Sequence, residues 1–221
     1  MTSVSLYAQT EYEEGKKIYE SACITCHGAD GKAQTDFSSV MRPRQLNKTL
    51  LSEEQSFQII KEGPHYWGAQ SEVMPAFKTL LRDEEISAVS HYIKRAFNSH
   101  LKQKTTALLN ASKKLNPEEE SNALTLGEKI FQKRCSKCHG TLGNGQSEFV
   151  EVSKKRKEFI YPYNLTRTLL NEEQIFLYAK HGGYYWGTYK QDMPSWKEKY
   201  SDIELKSVAK YVHQKIKKTD K

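Results

Sequence analysis

Apolar residues recur at helical spacing in two windows that lie far apart in the chain. Ile86, Val89, Tyr92 and Ile93 follow Asp83-Glu84-Glu85, and Leu205, Val208, Tyr211 and Val212 repeat the stripe in the second half. Spacing of three and four lays one apolar face along a helix, and acids in the first turn favour the positive end of the helix dipole. The order of residues from Glu13 to Glu20 predicts another helix, and Ser52-Glu53-Glu54-Gln55 carries the hydroxyl and the glutamine of a capped helix start. No convincing run of alternating apolar and polar positions predicts a strand. The pattern reads as all-α.

The recurrence runs through both halves. Gly15-Lys16-Lys17-Ile18-Tyr19 returns as Gly127-Glu128-Lys129-Ile130-Phe131, 112 residues later. From Pro43 and Leu46 onward the partners are Pro162 and Leu165, Thr49-Leu50-Leu51 and Thr168-Leu169-Leu170, Trp67-Gly68 and Trp186-Gly187, Met74-Pro75 and Met193-Pro194, all 119 apart. The second copy therefore carries a net insertion of seven residues ahead of Pro162. A repeat of this length means two homologous domains, at 1–97 and 124–221, with a linker at 98–123. Within the linker, Lys102 to Lys114 could stay helical, and Asn116-Pro117 followed by three acids reads as a break that restarts a helix.

Every cysteine belongs to one five-residue device used twice, Cys23-Ile24-Thr25-Cys26-His27 and Cys135-Ser136-Lys137-Cys138-His139. One helical turn presents two thiols to the vinyl groups of one porphyrin, and the adjacent imidazole lands under the iron. The motif thus reads as covalent haem c attachment through Cys23 and Cys26, and through Cys135 and Cys138, with His27 and His139 as proximal ligands. Two covalently bound haem c groups are implied. A zinc ribbon wants its Cys pairs about 15–20 residues apart, and a thioredoxin-like pair needs an adjoining βαβ pattern. Composition agrees. With 37% apolar residues and a mean hydropathy of −0.76, each small domain is short of apolar area, which a large macrocycle would supply.

A second axial ligand should occur in both copies. His65 becomes Tyr184, His91 becomes Lys210, and His181 corresponds to Glu62; methionine alone is duplicated, as Met74 and Met193. A neutral thioether in a loop before the last helix can approach the iron from the distal side. The rival reading is a pair of core methionines, with His65 as the replacement ligand. Tyr66-Trp67 and Tyr185-Trp186 stand shortly before these methionines. Each ring offers an apolar body with one donor, suited to a partly buried haem propionate, and aromatic packing is the alternative.

Together these residues resemble class I c-type cytochromes in tandem, and most of all the two-domain di-haem family called cytochrome c-four. The marks are Cys23/Cys26/His27 with Met74, Cys135/Cys138/His139 with Met193, a glycine after each His, and a helix ahead of each motif. The resemblance implies two tandem class I cytochrome c domains, each wrapped around one covalent haem. It also implies that a proline carbonyl after the motif accepts the proximal imidazole N–H, a role that falls on Pro43 and Pro162. Leu46 and Leu165 would pack against the porphyrin. Turn prolines and ordinary core leucines are the alternatives. The long linker, the insertion and the Tyr-Trp-Gly element depart from the family's pattern.

Charge is unevenly shared. Residues 1–97 carry net −2, residues 98–123 net +1 and residues 124–221 net +8, the last including Lys154-Lys155-Arg156-Lys157 within the extra loop. No nucleic-acid motif accompanies the cluster, which reads as a solvated loop or as a docking site for an acidic redox partner or an anionic membrane surface. No stretch of 18 apolar residues and no secretory apolar region occurs. Since c-type haem is attached outside the cytoplasmic membrane, a periplasmic location with a signal or N-terminal anchor removed is expected.

His/Met closure leaves no vacant iron site, which predicts outer-sphere electron transfer between a quinol-oxidising complex or dehydrogenase and a terminal oxidase or reductase. Two alternatives stand beside the carrier. One is a di-haem enzyme of thiosulfate dehydrogenase or peroxidase type, using His65 or His181; the other is a fixed electron-entry subunit of a larger complex.

Overall fold

The computed structural model describes residues 3–69, 73–101, 117–156, 162–188 and 193–218, and among these the secondary structure is helical with no strand. The expected helical run from Lys102 to Lys114, and Lys157 of the basic cluster, lie outside the described residues.

The first half folds as α1 (Ser3–Ala22), α2 (Ile24–His27), α3 (Ser38–Met41), α4 (Glu53–Glu62) and α5 (Asp83–Asn98). The second repeats the order as α6 (Pro117–Ile130), α7 (Ser136–His139), α8 (Glu148–Lys155), α9 (Glu172–His181) and α10 (Asp202–Tyr211). Two π-helical turns interrupt it, Phe131–Cys135 before α7 and Val212–Ile216 after α10. The restart expected at Pro117 is the first residue of α6.

Local chemistry sets the helix starts. The Ser52 hydroxyl accepts the Gln55 N–H at 3.1 Å while the Gln55 side chain accepts the Ser52 N–H at 2.8 Å, a reciprocal cap. Asn171 and Gln174 do the same for α9 at 2.8 and 2.9 Å.

In each half the helix that precedes the Cys motif packs along the closing helix, α1 on α5 and α6 on α10. A side chain at Gly15 would overlap the Ala88 carbonyl, and one at Gly127 the Ser207 carbonyl, so these crossings are made backbone to backbone. Ile86, Val89, Tyr92 and Ile93 are buried in one cluster with Tyr19, Ile60 and Phe97. Their counterparts Leu205, Val208 and Val212 are buried as well, while Tyr211 is half-buried.

The chain divides into two compact units. The first comprises Met1–Pro64, Glu72–Thr105 and Trp186–Tyr189, and the second comprises His65–Ser71, Thr106–Tyr185 and Lys190–Lys221. Each unit thus includes a Trp-Gly stretch that sequence numbering assigns to the other repeat. Within the first, the Gln45 N–H donates to the Gly187 carbonyl at 2.9 Å; within the second, the Asn164 N–H donates to the Gly68 carbonyl at 2.8 Å. No helix among the described residues is long and apolar enough to cross a membrane.

Candidate haem sites

The attachment residues arrive on helical turns. Cys23 follows the end of α1, and Cys26 and His27 lie on the single turn of α2. In the second half the π turn ends on Cys135, and α7 carries Cys138 and His139. Gly28 and Gly140 then turn the chain away at φ of 76° and 78°, a left-handed backbone that glycine enters without a Cβ clash.

The imidazoles are held by their Nδ1 atoms. His27 Nδ1 lies 3.0 Å from the Arg44 carbonyl and His139 Nδ1 lies 3.0 Å from the Tyr163 carbonyl. A carbonyl only accepts, so the proton sits on Nδ1 and Nε2 keeps its lone pair for a metal. Burial pulls both imidazoles below the usual histidine range, partly opposed by these hydrogen bonds, and so favours the neutral ligand form.

The acceptors correct one expectation, because each carbonyl belongs to the residue after the proline rather than to Pro43 or Pro162 itself. Gln45 is extended, at φ −71° and ψ 112°, as the chain enters the short turn at Leu46–Lys48. A carbonyl's direction follows from the dihedrals around it, and proline fixes only its own φ, so the proline's place in the sequence does not decide which carbonyl faces the ring. The Leu46 N–H then donates to the Gly31 carbonyl and the Leu165 N–H to the Gly143 carbonyl, both at 2.7 Å.

Burial pushes the Cys23 and Cys135 thiols up to about 12, with the neighbouring Cys26 and Cys138 adding to it, and burial also raises Cys138. Such an apolar setting suits a porphyrin edge better than a thiolate. Met74 packs against the first core, as Cys23, Ile24, Leu46 and Phe57 each do. Met193 is half-buried, and its carbonyl accepts the Gly183 N–H at 2.9 Å, which ties the methionine loop to the end of α9.

The aromatic pairs divide. Trp186 is fully buried, Trp67 half-buried, and Tyr66 and Tyr185 are exposed. Tyr66 and Trp67 meet edge to face at 4.9 Å, and Tyr185 stacks on His181 at 4.9 Å. Tyr66, Trp67 and Tyr185 belong to the second compact unit and Trp186 to the first.

Two further matched groups brace the attachment turns. Thr35 Oγ1 donates to the Cys26 carbonyl at 3.4 Å and Ser147 Oγ to the Cys138 carbonyl at 3.3 Å. These hydroxyls are 112 residues apart, so carrying the first register past the histidines finds them. Tyr19 has no such double: its hydroxyl donates to the Gly28 carbonyl at 2.6 Å, whereas Phe131 takes its place in the second half.

The donor set fits haem c. Each half offers two thiols and a neutral imidazole on one turn, with a thioether in the loop ahead of the closing helix. Among the described residues no three His, Cys, Asp or Glu side chains converge as a zinc site would require.

A family profile described as cytochrome C oxidase, cbb3-type, subunit III matches residues 10–93 and again residues 122–212. The chain belongs to this family. It is a tandem class I c-type cytochrome, an electron-transfer protein whose cofactor is covalently bound haem c. The chain is similar to the cbb3-type cytochrome c oxidase subunit FixP of Bradyrhizobium diazoefficiens, 24% identical over 206 residues, covering 90% of this chain and 59% of that protein. FixP of Azorhizobium caulinodans is 27% identical over 207 residues, covering 90% and 58%. The chain therefore spans under two thirds of the length of these relatives. Among solved structures, a chain of the Kuenenia stuttgartiensis reducing HAO-like protein complex aligns with a TM-score of 0.45 and 22% identity, covering 90% of this chain and 94% of that one.

Proposed function

We propose that the protein is a periplasmic di-haem electron carrier with His27/Met74 and His139/Met193 as axial pairs, passing single electrons from a quinol-oxidising complex or dehydrogenase to a terminal oxidase or reductase. The observation that carries this reading is the duplicated ligand set: in each half a half-buried imidazole is fixed through Nδ1 with Nε2 left to coordinate. Methionine is the candidate distal ligand present in both copies. Haem iron supplies a one-electron couple, which thioether ligation moves toward the potentials of respiratory carriers.

The protein's own part is positional. Cys23 with Cys26, and Cys135 with Cys138, fix the macrocycle; the Arg44 and Tyr163 carbonyls orient the imidazoles; Leu46 and Leu165 wall the porphyrin; and Tyr66, Trp67, Tyr185 and Trp186 supply donors for the propionates. Pro43 and Pro162 stiffen the segments that carry the two acceptor carbonyls. The basic second half, net +8 over residues 124–221, docks an acidic acceptor. The test is the ferric visible and near-infrared spectrum of the exported protein. A Met–iron charge-transfer band scaled to two haems supports the reading; a band scaled to one haem, or none, overturns it.

A second reading is a fixed electron-entry subunit, favoured because both relatives are described as subunits of a cbb3-type oxidase. Co-purification with a membrane oxidase through a high-salt wash would select it over a diffusing carrier.

A further inference from the structure

The 112-residue register extends beyond the bracing hydroxyls. Thr35-Asp36-Phe37 with Val40 returns as Ser147-Glu148-Phe149 with Val152: a hydroxyl, an acid, a phenylalanine and a valine three residues on. All four apolar side chains face outward, at 46% and 74% exposure for Phe37 and Val40 and 44% and 38% for Phe149 and Val152.

On α8 the division of labour is clear. Val150 and Ser153 are buried and hold the helix to the domain. Phe149 and Val152 lie three residues apart on another side of the helix and remain exposed, although burial of such side chains would stabilise the fold. Scattered exposed apolar residues are ordinary, but the same exposed pair beside the same haem-attachment turn in both halves is a built feature. The turn is held there by the hydroxyl–carbonyl bonds from Thr35 to Cys26 and from Ser147 to Cys138.

The two pairs differ in their rim. Lys155 and Arg156 are exposed at the end of α8, whereas Lys154 is paired with Glu151 at 3.0 Å. Ser38–Met41, the turn at the first pair, contains no charged residue and ends on one half-buried cation, Arg42. Resting on the electron-carrier reading above, we propose that Phe149 and Val152, rimmed by Lys155 and Arg156, form the docking face for one occupant: the acidic, apolar-centred surface of a small one-electron redox protein. Charge complementarity steers the encounter and the apolar pair retains the complex, which suits a small transient redox interface.

The experiment uses the intact, haem-loaded, reduced chain and an acidic blue-copper protein of plastocyanin type as oxidant, followed by stopped flow across a range of salt. The Phe149→Ser/Val152→Ser variant is expected to raise the saturation constant about tenfold while keeping the parent's salt slope. The Lys155→Ser/Arg156→Ser variant is expected to slow association at low salt and flatten the slope. Phe37→Ser/Val40→Ser serves as a control and is expected to leave both unchanged.

An unchanged saturation constant in the Phe149/Val152 variant overturns the inference. So does a shifted haem spectrum in that variant, because the pair would then cover the haem rather than a partner. Binding of the parent to vesicles containing anionic phospholipid that is lost on the same substitutions, with transfer to the copper protein unaffected, overturns it in favour of a membrane surface. A parent that fails to reduce the copper protein at any salt defeats the carrier reading itself.

Discussion

The Nδ1 of His27 donates to the carbonyl of Arg44 across 3.0 Å, and His139 repeats the bond to Tyr163. Both acceptors are main-chain atoms, so replacing the Arg44 or Tyr163 side chain leaves the bond in place. The lever is the preceding proline, whose ring fixes φ. Pro43→Ala should loosen the carbonyl, weaken electron donation by the imidazole and raise the first haem's potential. The shift should stay below about 60 mV, the equivalent of a tenfold change in a one-electron equilibrium. Redox titration of the holoprotein checks it, and a lowered potential contradicts the assigned bond.

Met74→Ala and Met193→Ala should each abolish half of the Met–iron near-infrared band and lower the potential of the affected haem by more than about 60 mV. The sign follows because the soft thioether favours ferrous iron, and water or a harder ligand in its place does not. Two intact Met-ligated haems in either variant would remove that methionine from the ligand set.

The order of the two potentials should follow charge. Positive surroundings favour the reduced state, so the haem of the net +8 half should be the more readily reduced, although Asp192 beside Met193 works against it. Since each compact unit draws residues from both repeats, the comparison belongs in the intact chain. Titrating the remaining Met-ligated haem of Met74→Ala against that of Met193→Ala gives the order.

Gly15→Ala should destabilise the holoprotein by about 1–3 kcal/mol, the usual cost of forcing extra atoms into a close-packed contact, because the new methyl meets the Ala88 carbonyl. Gly127→Ala should behave alike through Ser207. Thermal unfolding measures both, and an unchanged midpoint would show that the helices can part without penalty.

What could be read from the sequence was whatever depends on residue type and spacing. The apolar stripe of α5, the Ser52–Gln55 cap and the start of α6 at Pro117 follow from side-chain periodicity, capping and proline geometry. The Cys-x-x-Cys-His turns follow from the chemistry of thiols and imidazole. The proximal acceptor was misplaced by one residue because carbonyl direction depends on backbone dihedrals, which Pro43 and Pro162 constrain only at their own φ. The grouping of Tyr66 and Trp67 with the second unit could not be read, since the numbering of a repeat does not determine which compact unit a loop joins. The Thr35 and Ser147 hydroxyls were within reach of the repeat register, but small polar residues in a loop carry no periodic signal.

Gly15 and Gly127 leave each pair of terminal helices touching through main chain, at the carbonyls of Ala88 and Ser207, with the first side-chain carbons of Tyr92 and Tyr211 alongside. The separation of the two axes is then set by peptide geometry, which substitution elsewhere on the helices cannot gradually adjust. Repeats that have drifted apart nearby, with Tyr19 in one and Phe131 in the other, can thereby keep the same helix crossing ahead of the same attachment motif.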